Sequence, residues 1–377
     1  MARKKSEKIP EEDKDSDEIV SGLIKTLNKS KRSAYSFLER EDPSQIKRWI
    51  STGSTLLDYI ISNRHNGGIP YGRVTEIHGQ ESTGKSLLAF HIIANAQKQG
   101  GVGVYLDTEG RMLEKDFLLR LGINPRAIVI DSPASIEECF ETIESTIVSV
   151  RKSEKNKDRP LVIVWDSLGN TPPEAELEGN FDPQSQIGLG AKAVKRGVRK
   201  LRQVIGTESV ALVVINQLNY NIKAQAFQDP YITPYGKAIP YIASVRIRIS
   251  HGAKIKGPDS ELVGNIATAK IIKNSLGPPG RDVNFPLMFG YGVDEKQSIY
   301  DYLNKIDFLK RVAGTSRFKL GGQDYQIPHD EWKSFYDKHK SDIQDVLAQN
   351  LIRTYDDLNP ENDIEMTLDE EDLTAEV

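Results

Sequence analysis

Residues 73–78 read RVTEIH, and they run directly into Gly79-Gln80-Glu81-Ser82-Thr83-Gly84-Lys85-Ser86. The first six have the apolar character of a short strand. The octet matches G-x-x-x-x-G-K-[ST], and a helical pattern over 84–98 follows it. That order is what phosphate chemistry requires. Small residues let the loop fold into a nest of backbone N–H groups around a β-phosphate. The helix behind it turns its positive N-terminal end toward the same anion. Lys85 is placed to hold β- and γ-phosphates, and Ser86 to give its hydroxyl to Mg²⁺. The stretch predicts a nucleotide-binding α/β domain.

Further short apolar runs lie at 102–107 (VGVYLD), 127–130 (AIVI), 161–166 (LVIVWD), 209–216 (SVALVVIN), 244–250 and 267–273. Helical patterns at 114–121, 135–151 and 190–206 separate the earlier ones. Alternation of this kind, with nearly continuous apolar strands, predicts a mainly parallel sheet covered on both faces. The last two runs, SVRIRIS and ATAKIIK, alternate and are joined by the polar GAKIKGPDSE, which predicts an antiparallel hairpin on the sheet edge.

Parallel sheets collect ligand groups at the C-terminal ends of their strands. Run 161–166 ends in Asp166, a candidate Mg²⁺-side carboxylate. Run 102–107 leads into Asp107-Thr108-Glu109, which places Glu109 to orient or deprotonate water. Run 209–216 delivers Asn216-Gln217, whose amide is a candidate γ-phosphate sensor. The competing reading of each is a polar residue at an exposed strand end.

Composition limits the alternatives. The chain has 377 residues, 38% hydrophobic and 28% charged, enough for a sizeable core. One cysteine, Cys139, excludes an internal disulfide and a Cys-based zinc cluster. No apolar run approaches the roughly 18 residues of a membrane span, and the charged N-terminus lacks a signal-peptide core. A cytoplasmic protein without a membrane partner is expected. His78, His91 and His251 read as structural.

The net charge of −4 hides an asymmetry: ten acidic residues and no Lys or Arg follow Arg353, so the remainder stands at +6. The predicted organisation is a disordered 1–16, a helix and linker over 17–45, an ATPase-type core over 46–295, a small α/β domain over 296–353 and an acidic disordered tail over 354–377. The N-terminal helix carries Ile19, Val20, Leu23, Ile24 and Leu27 on one stripe, suited to a neighbouring subunit or to docking on its own chain. In the small domain, helical patterns at 297–311 and 330–352 flank a hairpin-like FKLGGQDYQI.

The segment 192–202 holds six cations and no acid. At 100° per residue Lys192, Lys195, Arg196 and Arg199 share one face, while Val194, Val198, Leu201 and Ile205 share the opposite one. Six like charges without partners repel at i,i+4 spacing, so a phosphate backbone is the favoured partner over plain solvent. Two irregular stretches of about twenty residues, 170–190 and 218–240, flank this helix; loops of that length are functional or disordered. The second holds Tyr220, Phe227, Tyr231 and Tyr235 with Lys223 and Lys237. Its aromatics suit stacking on bases, or packing the loop onto its own domain.

These residues resemble the RecA-type homologous recombinases, including UvsX-like phage recombinases. The similarity covers about Ile50 to Asp294, around two thirds of the chain. It runs through ISTGSTLLD, GGIPYGRVTEIHGQESTGKS, YLDTEG, VIVWDS, EAELEG…IGLGAK, VVINQ, YGKAIPYIASVR and AKIIKN, all in order. The resemblance implies a RecA-type core and a DNA-dependent ATPase. Such a protein binds single-stranded DNA, polymerises into a helical filament and promotes homologous pairing and strand exchange with duplex DNA. ATP and Mg²⁺ are the implied cofactors. Single-strand-binding or mediator proteins are implied accessory partners, and the cytoplasm of a bacterial or phage-infected cell is the implied setting.

By the same resemblance Lys85, Ser86 and Asp166 take the phosphate and Mg²⁺ roles, Glu109 activates water and Gln217 links γ-phosphate to DNA. Phe117 falls near the adenine-stacking aromatic, with one extra residue between it and Glu109. Stretches 170–190 and 218–240 correspond to the two DNA loops. Ile187 and Ile222 stand where apolar residues insert near base steps, and Gly188, Lys192, Arg199 and Gly236 where phosphates are contacted. Arg196, Lys223 and Lys237 extend that cationic set.

Lys273-Asn274-Ser275 departs from the family, whose motif has lysines at both ends reaching a neighbour's γ-phosphate; only Lys273 remains. The second loop also lacks the family's Gly- and Thr-rich centre, and the N-terminus is longer. The acidic tail is expected to screen duplex DNA from the basic surface. The rivals to this reading are a ring-forming helicase or motor on the same core, and a filament protein or mediator that binds ATP without meaningful turnover.

Overall fold

The computed structural model describes residues 14–29, 46–110, 114–156, 158–178, 188–207, 209–220 and 231–353. The chain divides into two units, Met1–Lys47 and Arg48–Val377. The first holds α1 (Lys14–Asn28), with Ile19, Val20, Leu23 and Leu27 exposed along it.

The second unit is organised by a nine-stranded sheet: β1 (Arg73–Gly79), β2 (Val102–Asp107), β3 (Ile128–Asp131), β4 (Leu161–Asp166), β5 (Val210–Gln217), β6 (Val245–Lys256), β7 (Leu262–Asn274), β8 (Asp282–Met288) and β9 (Gly292–Val293). The spatial order is β9-β8-β7-β6-β1-β5-β4-β2-β3. From β6 to β3 every pairing is parallel, and from β6 to β9 every pairing is antiparallel.

Alternation along the parallel strands divides their side chains between two apolar layers. Val162 and Val164 join Ile77, Tyr105, Val213 and Ile215 on one face, under α2 (Thr55–Ser62) and α3 (Lys85–Lys98). Leu161, Ile163 and Trp165 join Leu212 and Val214 on the other, under α5 (Ile136–Arg151) and α6 (Leu189–Thr207). A short α4 (Lys115–Arg120) precedes α5, and α7 (Ala238–Ile242) leads into β6. Each fully buried Ile, Leu or Val contributes about 1.5–3 kcal/mol. The two-sided burial explains why β4 is apolar up to its final Asp166, whereas β3, at the end of the sheet, leaves Val129 and Ile130 exposed.

The β6–β7 hairpin forms but does not close the sheet edge. Beyond it lies β8, which buries Val283, Phe285 and Leu287. Pro286 inside this strand disguises it, because proline cannot donate to a ladder and argues against a strand. Half of the expected connecting turn is strand as well: β6 runs to Lys256, leaving 257–261 as the turn.

C-terminal to β9 come α8 (Glu295–Lys305), a three-stranded sheet of β10 (Lys310–Val312), β11 (Thr315–Leu320) and β12 (Gln323–Pro328), then α9 (Trp332–Lys338) and α10 (Lys340–Leu351). Leu320, Trp332, Ile343 and Leu347 join the same apolar layer as α2 and α3. The expected helix over 297–311 stops at Lys305, and 310–312 becomes the third strand of the hairpin. The pattern over 330–352 is two helices, broken at His339 with φ −116 and ψ 25.

Candidate active site and nucleic-acid interface

β1 delivers the phosphate loop. Gly79 pairs with Ile249 of β6, so closely that a Cβ on it would lie 2.2 Å from the Ile249 carbonyl oxygen. Ser82 and Gly84 have φ of 58 and 92, the left-handed backbone that turns successive N–H groups inward. A Cβ on Gly84 would also come 2.2 Å from Leu287 Cδ1. Gly84 caps α3, whose first turn holds Lys85 and Ser86. Thr83 Oγ1 donates to the Gln80 carbonyl at 3.0 Å and Lys85 Nζ to the same oxygen at 2.6 Å, so the ammonium lies within the loop's curve.

Register assembles the rest of the edge. Gly79 stands opposite Gln217 across β1–β5, and Asp107 opposite Asp166 across β2–β4. Asp166 is fully buried and accepts from the Tyr105 hydroxyl; the Asp166–Ser167 peptide is cis. The Glu109 carboxylate accepts from Ser167 Oγ at 2.7 Å and Asn170 Nδ2 at 2.9 Å. Its backbone N–H donates to Asp107 Oδ1 at 3.1 Å, and Thr108 N–H donates to the Asp166 carbonyl at 2.9 Å. Glu109 is thereby aimed by the residues that leave β4. Asn216 is no exposed strand-end residue: it is fully buried, and its Oδ1 accepts the Gln217 N–H at 3.0 Å.

Among the described residues no group of three or more His, Cys, Asp or Glu could hold a metal ion by itself. A hydroxyl and one buried carboxylate instead suit Mg²⁺ carried in on phosphates, an ion that keeps several non-protein ligands.

Two further candidates sit on other elements. Phe117, on α4, is half-buried against the α2–α3 apolar layer. Lys273, on β7, stands opposite Arg246, which stands opposite Glu76 on β1, three residues before Gly79. Its Nζ donates to the carbonyls of Pro240 (2.8 Å) and Tyr241 (3.3 Å). Burial, and then the charge of Arg246, holds its pKa below the usual lysine range. The fold does not bring Lys273 onto its own chain's phosphate loop.

Two contacts at the loop escaped sequence reasoning. His251 Nε2 meets the Glu81 carbonyl at 3.0 Å, so this histidine touches the phosphate loop, although nothing local to HGAKIK signals it. Leu287, which touches Gly84, leads to the exposed aromatics Phe289 and Tyr291. His91 fits the structural reading: it accepts the Val293 N–H at 3.1 Å, and burial pushes its pKa down to about 4.

On α6, Lys192, Lys195, Arg196 and Arg199 are exposed, while Val194, Leu201 and Ile205 are buried and Val198 half-buried. The expectation of unpartnered cations fails for Lys200, which pairs with Glu144 of α5. The two helices lie close because position 197 is glycine; a Cβ there would sit 2.2 Å from the Phe140 ring. Gly188, with φ 79, precedes α6.

Ile187, Ile222, Lys223 and Phe227 lie outside the described residues. Tyr235 does not stack outward: its hydroxyl donates to the Thr171 carbonyl at 2.7 Å and its ring covers Gly190. Gly236 has φ 72, and exposed Lys237 leads into α7. Residues 219–220 pair with 231–232, with exposed Tyr220 edge-on to Tyr231 at 6.0 Å and the Arg248 guanidinium 5.7 Å from the Tyr231 ring.

No helix among the described residues is long and apolar enough to cross a membrane. A family model, the RecA N-terminal domain, matches residues 21–294. Protein RecA of Helicobacter pylori (strain P12) is 34% identical over 301 residues, which is 79% of this chain and 82% of the relative. Protein RecA of Chloroherpeton thalassium is 33% identical over 316 residues, 83% and 84% respectively. Protein RecA of Helicobacter hepaticus is 32% identical over 304 residues, 79% and 84%. With the phosphate loop, the ordered strand ends and these matches together, the chain belongs to the RecA family, ATP-dependent recombinases that pair homologous DNA and exchange strands.

Proposed function

We propose that Lys85, Ser86, Asp166, Glu109 and Gln217 form one ATP-hydrolysing site whose turnover is gated by single-stranded DNA. The observation that carries it is the shared edge: the phosphate loop and Glu109 follow the ends of β1 and β2, and Asp166 and Gln217 are the last residues of β4 and β5. Backbone N–H groups of residues 80–84 and Lys85 would bind the phosphates. Ser86 and Asp166 would hold Mg²⁺, which when bound offsets the charge of the phosphate oxygens. Glu109, oriented by Ser167 and Asn170, would take the proton of the attacking water. Gln217 would report the γ-phosphate to the chain beyond it, at 218–240. Phe117 is proposed as an adenine-facing aromatic.

In a filament, Lys273 would serve the phosphates of a neighbouring subunit, the role of a cationic finger supplied in trans. Ser275 brings no charge, so Lys273 would act without a second lysine. Gly188, Lys192, Arg196 and Arg199, with Gly236, Lys237, Lys223, Ile187 and Ile222, would face DNA. The proposed organisation keeps residues 1–16 and 354–377 as charged tails and 17–45 as the polymerisation segment. Residues 46–295 would be the ATPase core and 296–353 a C-terminal domain. Single-strand-binding or mediator proteins are the accessory partners this activity calls for, in the cytoplasm of a bacterial or phage-infected cell.

ATP hydrolysis with Mg²⁺, with and without single-stranded DNA, tests the reading. DNA-stimulated turnover is expected. Turnover indifferent to DNA would sink the gated mechanism and leave a different phosphate-loop ATPase.

A further inference from the structure

Arg246 and Lys273 face each other across β6 and β7, beside a register shift that leaves Ile272 unpaired. Like charges directly opposite destabilise a sheet, so something must offset them. On one side the offset is Glu76 of β1, fully buried and opposite Arg246 in the parallel register, whose Oε2 accepts from Arg246 Nε. On the other it is the pair of carbonyls at Pro240 and Tyr241, near the C-terminal end of α7, which accept from Lys273.

The second oxygen of Glu76 is also committed. Oε1 accepts from Asn216 Nδ2 at 3.0 Å, and Asn216 Oδ1 in turn accepts the Gln217 N–H at 3.0 Å. His78 Nδ1 lies 3.7 Å from Oε2, completing the ring of polar groups around the carboxylate. Gln217 is the residue from which the stretch 218–240 departs, and Pro240–Tyr241 is where it returns. The first flank is hydrogen-bonded to this carboxylate through Asn216, and the second is joined to it by strand register, since Lys273, which holds Pro240 and Tyr241, stands directly opposite the Arg246 that Glu76 holds.

We infer that Glu76 is a positioning residue that holds these two flanks in one fixed relation, so that γ-phosphate at Gln217 and DNA at 218–240 are felt by each other. The inference rests on the proposed reading of Gln217 and of 218–240. Its physical basis is that a buried, charge-assisted network is an all-or-none arrangement: with the carboxylate removed, Arg246 loses its counter-charge. A contiguous network of this kind can carry coupling, but only a coupling measurement shows that it does.

The test uses the full chain as wild type, Glu76→Gln and the double variant Glu76→Gln with Arg246→Met. Readouts are DNA-free ATP turnover, its stimulation by single-stranded DNA, and the thermal midpoint. The amide of Glu76→Gln keeps an acceptor for Asn216 but no charge for Arg246. We expect DNA-free turnover close to wild type and DNA stimulation reduced by about tenfold, a typical coupling factor. The double variant, with no orphaned charge, should regain the thermal midpoint without regaining stimulation. Wild-type stimulation in Glu76→Gln overturns the inference, as does a double variant that regains stimulation together with its midpoint, because the role is then purely structural. Should Glu76→Gln fail to fold, Asn216→Ser, which cuts only the Gln217 branch, is read by the same criteria. Wild-type protein without DNA stimulation would instead sink the underlying reading, and the inference with it.

Discussion

The phosphate edge of the sheet and the basic face of α6 are built on opposite principles. At the edge, the groups are placed by backbone register, Glu109 and Asp166 are held by hydrogen bonds, and Asp166 and Asn216 are wholly buried. On α6 the scaffold is equally firm, Val194, Leu201 and Ile205 being buried, but the cations themselves stand in solvent. The first region suits chemistry that depends on angstroms. The second suits an extended polyanion, for which the sum of charges matters more than the place of any one. A single substitution should therefore be severe at the edge and mild on the helix.

The severest expected break is Glu109→Gln. The amide keeps the size and some of the contacts to Ser167 and Asn170 but cannot take a proton. ATP turnover should fall by about 10²-fold or more, while a fluorescent nucleotide still binds. Near-normal turnover would show that another group activates water.

A second effect comes from the contact of α2 with α8. Asp58 accepts from Ser51 Oγ, Thr52 N–H and Thr52 Oγ1, and Glu295 accepts the Thr55 N–H. Burial nevertheless raises both carboxyls to about 7. A carboxyl raised in the folded state favours the protonated form, so its contribution to stability is fullest below pH 4. It is lost as pH rises from about 4 to 7. For Asp58 this is on the order of 4 kcal/mol. Thermal midpoints across that window should slope downward with pH, and Asp58→Asn should flatten the slope. An unchanged slope would assign it to other groups.

Scaffold and charge on α6 can be separated. Gly197→Ala adds a methyl where Phe140 already lies, and should destabilise by about 1–3 kcal/mol by denaturant titration without altering any charge. Arg199→Ala should leave stability and nucleotide binding alone. Its signature is the salt dependence of single-strand affinity, which should flatten by about 0.7 in log–log slope for one lost phosphate contact. Lys200→Ala is the mildest: an exposed pair with Glu144 is worth at most about 1 kcal/mol. A flattening in Lys200→Ala equal to that of Arg199→Ala would show that Glu144 releases the lysine to DNA.

Legibility followed the distance between partners. The octet 79–86 and the strand ends at Asp166 and Gln217 were readable because a strand, its turn and the following helix carry their signals within a few residues. The seven apolar runs all became strands for the same reason. β8 was hidden by Pro286, whose cost to the ladder is tolerated where β8 lies near the end of the sheet. In the sequence Lys200 reads as unpartnered because Glu144 belongs to a different helix. In the sequence Tyr235 suits stacking and packing alike, and the backbone at Thr171 and Gly190 decides for packing.

The sequence by itself determined the chemistry on offer: a phosphate nest, a carboxylate for water, a cationic helix and the family to which they belong. These rest on consecutive residues, or on apolar periodicities that lie within one helix or strand. Only the tertiary structure decided that Glu109 is aimed by Ser167 and Asn170, and that Lys273 is held by the carbonyls of Pro240 and Tyr241. It alone gathered Asn216 and Arg246 around the buried carboxylate of Glu76. Glu76 and Arg246 are 170 positions apart and meet only because β6 lies in parallel register on β1. A register is set by the packing of whole strands between two apolar layers, and no local stretch of sequence contains it.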